Sequence, residues 1–190
     1  MIKTMKTNEL PIQDGTQLPG VKKDGQSITS DWEAQRALID GVTVKEVKNV
    51  PKENGMLTEI YRRDWELDDK EVDQIFQVQV VPDGITAWHV HRLTTDRLFV
   101  NQGLIKIVLY DARPASPTYG KINEFRYGTV RPALISVPPG VWHGVHNIGN
   151  ETASLLNIVD QAYRYEDPDH WRLPEDTPEI PYKFRSSKGI

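Results

Sequence analysis

From Val42 to Val159 the chain is a succession of short runs rich in β-branched and aromatic residues, each bounded by Gly, Pro, Asn or Asp. Runs this short cannot build long helices. They pair as antiparallel strands and close into a sandwich or a barrel. Strands are expected over residues 42–47, 56–61, 75–81, 85–92, 97–102, 104–111, 121–127, 133–137, 144–148 and 153–159. Turns are expected over 51–55 and at Pro82-Asp83-Gly84, where Gly and Pro fix the backbone. The charge-dense stretch 62–73 reads as a loop or a helical turn, most simply solvated. The proline-rich tail from Tyr163 reads as a wrap around the outside of the strands.

The flanks read differently. Residues 1–29 are polar, with scattered Gly and Pro and no period, as in an extended arm or leader. Ser30 with Glu33 three residues later forms a capping box, and Gly41 is placed as a stop, so a short helix is expected over 30–41. The expected division is an arm and helix over 1–41 and a barrel with its wrapping tail over 42–185.

Composition narrows the chemistry. At 190 residues the chain has the length of one domain with appendages, and its net charge of −4 gives no footprint for nucleic acid or for an acidic membrane surface. It has no cysteine, which excludes disulfides, thiolate nucleophiles and cysteine-held metals. Any metal must therefore sit on His and carboxylate oxygens. No apolar run approaches the length of a membrane span, and the start lacks an apolar leader, so a cytoplasmic protein is expected.

Four of the five histidines fall in two short segments. In Gly84-Ile-Thr-Ala-Trp-His89-Val-His91, the two histidines are two apart on an expected strand, so both rings share a face. A turn over 93–95 would return Asp96 beside them. In Pro138-Pro-Gly140-Val-Trp-His143-Gly-Val-His146-Asn147, parity puts His143, Val145 and Asn147 on one face and His146 on the other, outward or at a subunit interface.

These two patterns, G-x4-H-x-H-x4-D-x6-G and P-x-G-x2-H-x3-N, resemble the paired motifs of the cupin superfamily. The resemblance implies an all-β cupin jelly-roll (double-stranded β-helix) barrel. In metal-binding cupins three histidines and a carboxylate meet inside the barrel, which here would be His89, His91, Asp96 and His143. Three imidazoles and a hard oxygen suit a divalent ion such as Fe, Mn, Ni or Zn. Asp96 reads equally as a turn carboxylate facing water.

A longer resemblance covers most of residues 42–184. The runs Val44-Lys-Glu-Val-Lys, Gly55-Met-Leu-Thr-Glu-Ile-Tyr61, Asp111-Ala-Arg-Pro-Ala-Ser-Pro-Thr-Tyr-Gly120, Val137-Pro-Pro-Gly-Val-Trp-His-Gly144 and Glu179-Ile-Pro-Tyr-Lys-Phe184 are similar to the dTDP-4-dehydrorhamnose 3,5-epimerase family. That family is a cupin branch implied to work without a metal or other cofactor, usually as a homodimer. It deprotonates carbons beside the 4-keto group of a nucleotide-linked sugar. Such enolisation needs a base of near-neutral pKa, an acid on the opposite face and donors for the enolate. The resemblance puts the base at His89 and a second active-site histidine at His143. His91, Arg97, Glu59 and Tyr61 are the implied substrate-binding residues.

Four family positions depart. Two diphosphate-holding arginines fall on Thr86 and Asn54, and a lysine falls on Asp96, beside Arg97. The acid tyrosine falls near Leu156, so Tyr61, Tyr110 or Tyr163 must serve, and Tyr163 is taken as the catalytic one. The leading expectation is a sugar epimerase with a small-molecule sugar or nucleotide-sugar as its partner. The alternatives are a metal-dependent cupin, dioxygenase or isomerase, and a non-catalytic carbohydrate-binding barrel. His170, in Asp167-Pro-Asp-His-Trp171, reads as a surface-loop residue, and Trp88 and Trp142 as packing.

Overall fold

A computed structural model of the chain describes residues 19–31 and 36–185. Packing divides the chain into two units at Ala37/Leu38. In the first, residues 19–31 are turns and extended chain, almost all exposed. The second carries twelve strands among its described residues: β1 (Thr43–Glu46), β2 (Asn49–Lys52), β3 (Gly55–Thr58), β4 (Gln74–Val80), β5 (Ile85–Val90), β6 (Asp96–Gln102), β7 (Leu104–Asp111), β8 (Ile122–Gly128), β9 (Ala133–Val137), β10 (Val141–Asn147), β11 (Ala153–Val159) and β12 (Trp171–Arg172).

Two five-stranded antiparallel sheets form, in the orders β1-β9-β6-β11-β4 and β12-β5-β10-β7-β8, with β2-β3 as a separate hairpin. This is the cupin jelly-roll architecture. Strand alternation builds the core between the sheets. Leu98 and Val100 of β6, Ile105, Ile107 and Leu109 of β7, Ile135 and Val137 of β9 and Leu155 of β11 point inward and are at most 4% exposed. Each such side chain contributes about 1.5–3 kcal/mol when fully buried.

The outward faces are covered too, which is why β6 and β7 read as near-continuous apolar runs. Phe99, Leu134 and Ile158 pack under Ile60, Tyr61, Trp65 and Leu67. Trp88, Val108 and Tyr110 pack under Ile180, Tyr182 and Phe184 of the tail. Residues 180–184 of the tail thus lie on the outer face of the second sheet, whereas its earlier part, from Tyr163 to Arg172, lines a cavity between the sheets. The segment 62–73 has one 3-10 turn at Arg63–Trp65 but is not simply solvated: most of its charges are exposed, while Trp65 and Leu67 pack down and the half-buried Asp68 accepts from Arg97 Nε at 2.8 Å.

The expected helix over 30–41 is also corrected. Residues 32–35 lie outside the described residues, and 36–39 carry no helix. Ile39, 1% exposed, is part of the barrel core. Its N–H donates to Asn123 Oδ1 at 2.9 Å, and that of Asp40 to Thr118 Oγ1 at 2.8 Å. Tertiary partners take the amides a helix would have used, and local propensity is a weak prior against that.

Candidate active site

One cavity of about 280 Å3 opens into the barrel between the sheets. His89 and His91 enter it from the β5 side, His143 from β10, and Asp96 and Asn157 from β6 and β11. Asp96 does sit beside the histidines, but the turn after His91 carries the chain into the opposite sheet, so the carboxylate faces them across the barrel.

Two local features of the second motif hold His143. Gly140 adopts φ +82° in the Pro138-Pro139-Gly140 turn, and its N–H donates to His91 O at 2.7 Å, tying the two motifs together. At Gly144 a Cβ would lie 2.5 Å from Ala87 Cβ of β5 and 2.8 Å from Phe184 Cζ, so glycine lets both β5 and the tail approach β10 closely. His146 faces away from the cavity, as parity requires. It is buried rather than outward-facing: its ring meets Phe184 edge-on and Nε2 lies 2.8 Å from Asp83 Oδ1.

His170 is the main correction. It is not a surface-loop residue but a wall of the cavity, with Nε2 2.6 Å from His89 Nδ1. Two interactions carry it there. Strand β12 pairs Trp171 and Arg172 with Val90 and His89, and the Asp169 carboxylate accepts from the amides of Arg92 and Leu93 at 2.8 Å each. Burial works to raise the Asp169 carboxyl, but these amides and Thr94 outweigh it and hold it below the usual range. Thr86 joins the site as well, with Oγ1 2.9 Å from His89 Nε2. The β5–β10 ladder shifts register between His143 and Val145, which puts Thr86 and His89, three apart, on one face.

Three of the imidazoles, His89, His143 and His170, have a lowered proton affinity. Burial, then the nearby His143 and Arg172, push His89 down to about 3. Burial and His91 push His170 down to about 4. Burial also lowers His143, against the opposing pull of Asp96. Around the Asp96 carboxylate, His91 Nε2 lies 3.3 Å and His143 Nε2 3.6 Å from Oδ2, while Oδ1 accepts from Asn157 Nδ2 at 2.6 Å. His91, Asp96 and His143 thus offer three converging donor atoms that fit a metal ion. His89 is not among them: Thr86 and His170 engage both of its nitrogens. The four-ligand set expected from the sequence reduces to three.

Of the tyrosines considered as acid, Tyr163 lines the cavity. Tyr110 packs under the tail and Tyr61 packs on the outer face of the first sheet. Leu156 likewise points to that outer face while Leu155 lines the cavity. Arg97, Glu59 and Tyr61, expected to bind substrate, do not line the cavity. With Asp96 inward, parity sends Arg97 outward, where it is 1% exposed, bonded to Asp68 and set against the Tyr61 ring. Glu59 is exposed and paired with Arg62 at 3.2 Å. The cations that do line the cavity are Arg164 and Arg172, neither of which the motifs pointed to.

The model of the dTDP-4-dehydrorhamnose 3,5-epimerase family matches residues 36–188. The chain belongs to this family. It is an enzyme of the isomerase class, a sugar epimerase by family, and the family's chemistry runs on side chains without a cofactor. It is 32% identical over 139 residues to a probable low-salt glycan biosynthesis epimerase of Haloferax volcanii, covering 73% of this chain and 89% of that one. It is 30% identical over 149 residues to the spore coat polysaccharide biosynthesis protein SpsL of Bacillus subtilis, covering 78% of this chain and 98% of that one. Among solved structures, a dTDP sugar isomerase from Desulfovibrio desulfuricans superposes with a TM-score of 0.71 at 31% identity, over 76% of this chain and 91% of that one. Among the described residues no helix is long and apolar enough to cross a membrane.

Proposed function

We propose that this epimerase enolises a keto-sugar carried on a nucleoside diphosphate, with His89 as the base that removes the proton beside the ketone. The observation that carries the reading is the pairing of His89 with His170 inside the cavity. If His89 Nδ1 donates to His170 Nε2, His89 Nε2 keeps its lone pair, now met by the Thr86 hydroxyl. Burial pushes the ring down to about 3, so the lone pair is free at neutral pH although the ring is a weaker base than a near-neutral imidazole. His143 orients the keto oxygen from the neighbouring strand. Tyr163 on the cavity wall is the acid that returns a proton.

The family's two diphosphate arginines are replaced at Thr86 and Asn54, but Arg164 and Arg172 line the cavity and supply that charge from the C-terminal segment. The name of the Desulfovibrio relative, a dTDP sugar isomerase, supports a nucleotide-linked substrate. Such a substrate implies the cytoplasm. The test compares dTDP-4-keto-6-deoxyglucose with the same keto-sugar lacking its nucleotide, following epimer formation by NMR. The linked sugar is expected to turn over with the lower KM, and R164A with R172A to abolish that advantage. Equal KM values for both substrates contradict the diphosphate assignment.

The same reading makes the protein a homodimer. Strand β4 is a sheet edge on which Ile75 is 60% exposed, and Met56 and Leu57 of the β2–β3 hairpin are exposed as well. An apolar, unpaired edge of this kind is normally covered. Light scattering is expected to give twice the 21.7 kDa chain mass, and Ile75→Asp to halve it. A wild-type monomer contradicts the dimer.

A further inference from the structure

Three atoms able to ligate a metal point at one another inside the cavity. His91 Nδ1 meets the Asp169 carbonyl oxygen, and His143 Nδ1 meets the Val141 carbonyl oxygen at 3.3 Å. A carbonyl accepts, so in each ring Nδ1 carries the hydrogen. Nε2 is then the nitrogen that can offer a lone pair to an ion. Both Nε2 atoms face Asp96 Oδ2, at 3.3 and 3.6 Å, and a carboxylate oxygen is an acceptor too. Asp96 is 2% exposed and its other oxygen is already bonded to the Asn157 amide. Two ring nitrogens and a buried carboxylate oxygen thus converge on one point, with the geometry to share a positive ion.

We propose that His91 Nε2, His143 Nε2 and Asp96 Oδ2 form a binding site for a divalent first-row transition-metal ion. The spacing suits it: donors held about 2.1 Å from an ion stand about 3.0–3.4 Å apart in octahedral or tetrahedral geometry. All three donor atoms lie within 4.8 Å of one another. The outer contacts suit it as well, because a ring whose Nδ1–H donates to a backbone carbonyl is fixed in the tautomer and orientation that a metal requires. Two histidines and one carboxylate leave further coordination positions open toward the cavity. A bound divalent ion supplies Lewis acidity to a carbonyl oxygen. The site shares the cavity and His143 with the epimerase reading, but the proposed base, His89, is not a ligand, so metal retention is read separately from epimerisation.

The experiment uses the untagged full chain, stripped with a chelator and dialysed into metal-free buffer. Co(II) is titrated while the visible d–d absorption is followed, and retained Co(II), Zn(II), Mn(II) and anaerobic Fe(II) are measured by elemental analysis. One ion per chain is expected, with Co(II) bands of a mixed nitrogen and oxygen site and a raised Tm. Asp96→Asn and His91→Ala, checked for folding by circular dichroism, are expected to lose the ion, and His146→Gln on the opposite face to keep it. Retention no greater than the buffer blank for all four metals overturns the proposal. So does equal binding by wild type and a folded Asp96→Asn chain, which would place the ion elsewhere.

Discussion

Replacing His89 with asparagine is expected to lower kcat/KM on a keto-sugar substrate by about a thousandfold, the usual worth of a positioned base. Asparagine keeps a polar group beside Thr86 and His170 but has no lone pair on nitrogen to take a proton. The loss is therefore expected in kcat with KM little changed, because the missing interaction belongs to the transition state. His170→Ala should cost less and act through the orientation of His89, since His170 contacts the His89 Nδ1 side. Asparagine at 89 retaining activity within tenfold of wild type would remove His89 from the base role and turn attention to His91 and His143.

Asp111→Ala is expected to destabilise the fold by about 3 kcal/mol, the scale of breaking a buried ion pair. Asp111 closes β7 and is fully buried. Its carboxylate accepts from Arg113 Nε at 2.8 Å and from the hydroxyls of Ser116 and Thr118 at 2.6 Å each. Arg113 in turn donates to Asp40 O at 2.7 Å, and its stem lies where a Cβ on Gly140 would be. The alanine variant thus strands a guanidinium and two hydroxyls around a hole, next to the turn that presents His143. Burial works to raise the carboxyl, but these donors outweigh it and hold it well below the usual carboxylate range. A folded-state pKa below the unfolded one gives stability that is complete above about pH 4 and is lost as pH falls below it. The Tm gap between wild type and variant should therefore be widest near neutral pH and shrink in acid. A gap independent of pH would mean that the charge contributes nothing.

The sequence showed the barrel because alternation is a local signal. β7, β9 and β11 begin and end where their apolar runs do. The β2–β3 hairpin was hidden by Pro51, which suggested a turn over 51–55. The turn falls at residues 53–54 instead, and Pro51 is tolerated in a two-stranded ribbon, where one side of the strand has no ladder. The helix over 30–41 had the right cap pattern, but the pull of Ile39 into the core decided the backbone there.

The site divides in the same way. His89, His91, Asp96 and His143 were legible because strand parity and motif spacing converge on one face. Thr86 required a register shift that no residue pattern encodes. His170 required a two-residue strand that pairs with β5 some eighty residues earlier in the chain. A pairing so short leaves no periodicity to detect. Its nearest sequence signal was Asp169, a residue suited to binding turn amides, and the turn it binds is remote. Arg97 shows the converse error: an arginine beside a site residue on a strand points the opposite way.

A cavity that removes and returns a proton beside a sugar ketone must also exchange that proton with solvent. Incubating the wild-type protein with dTDP-4-keto-6-deoxyglucose in D2O, and reading deuterium at each ring carbon by NMR, tests it most directly. The expected result is deuterium at the carbons flanking the ketone, appearing with the wild type and not with His89→Asn. No exchange by the wild type, or exchange undiminished in the variant, would contradict the account.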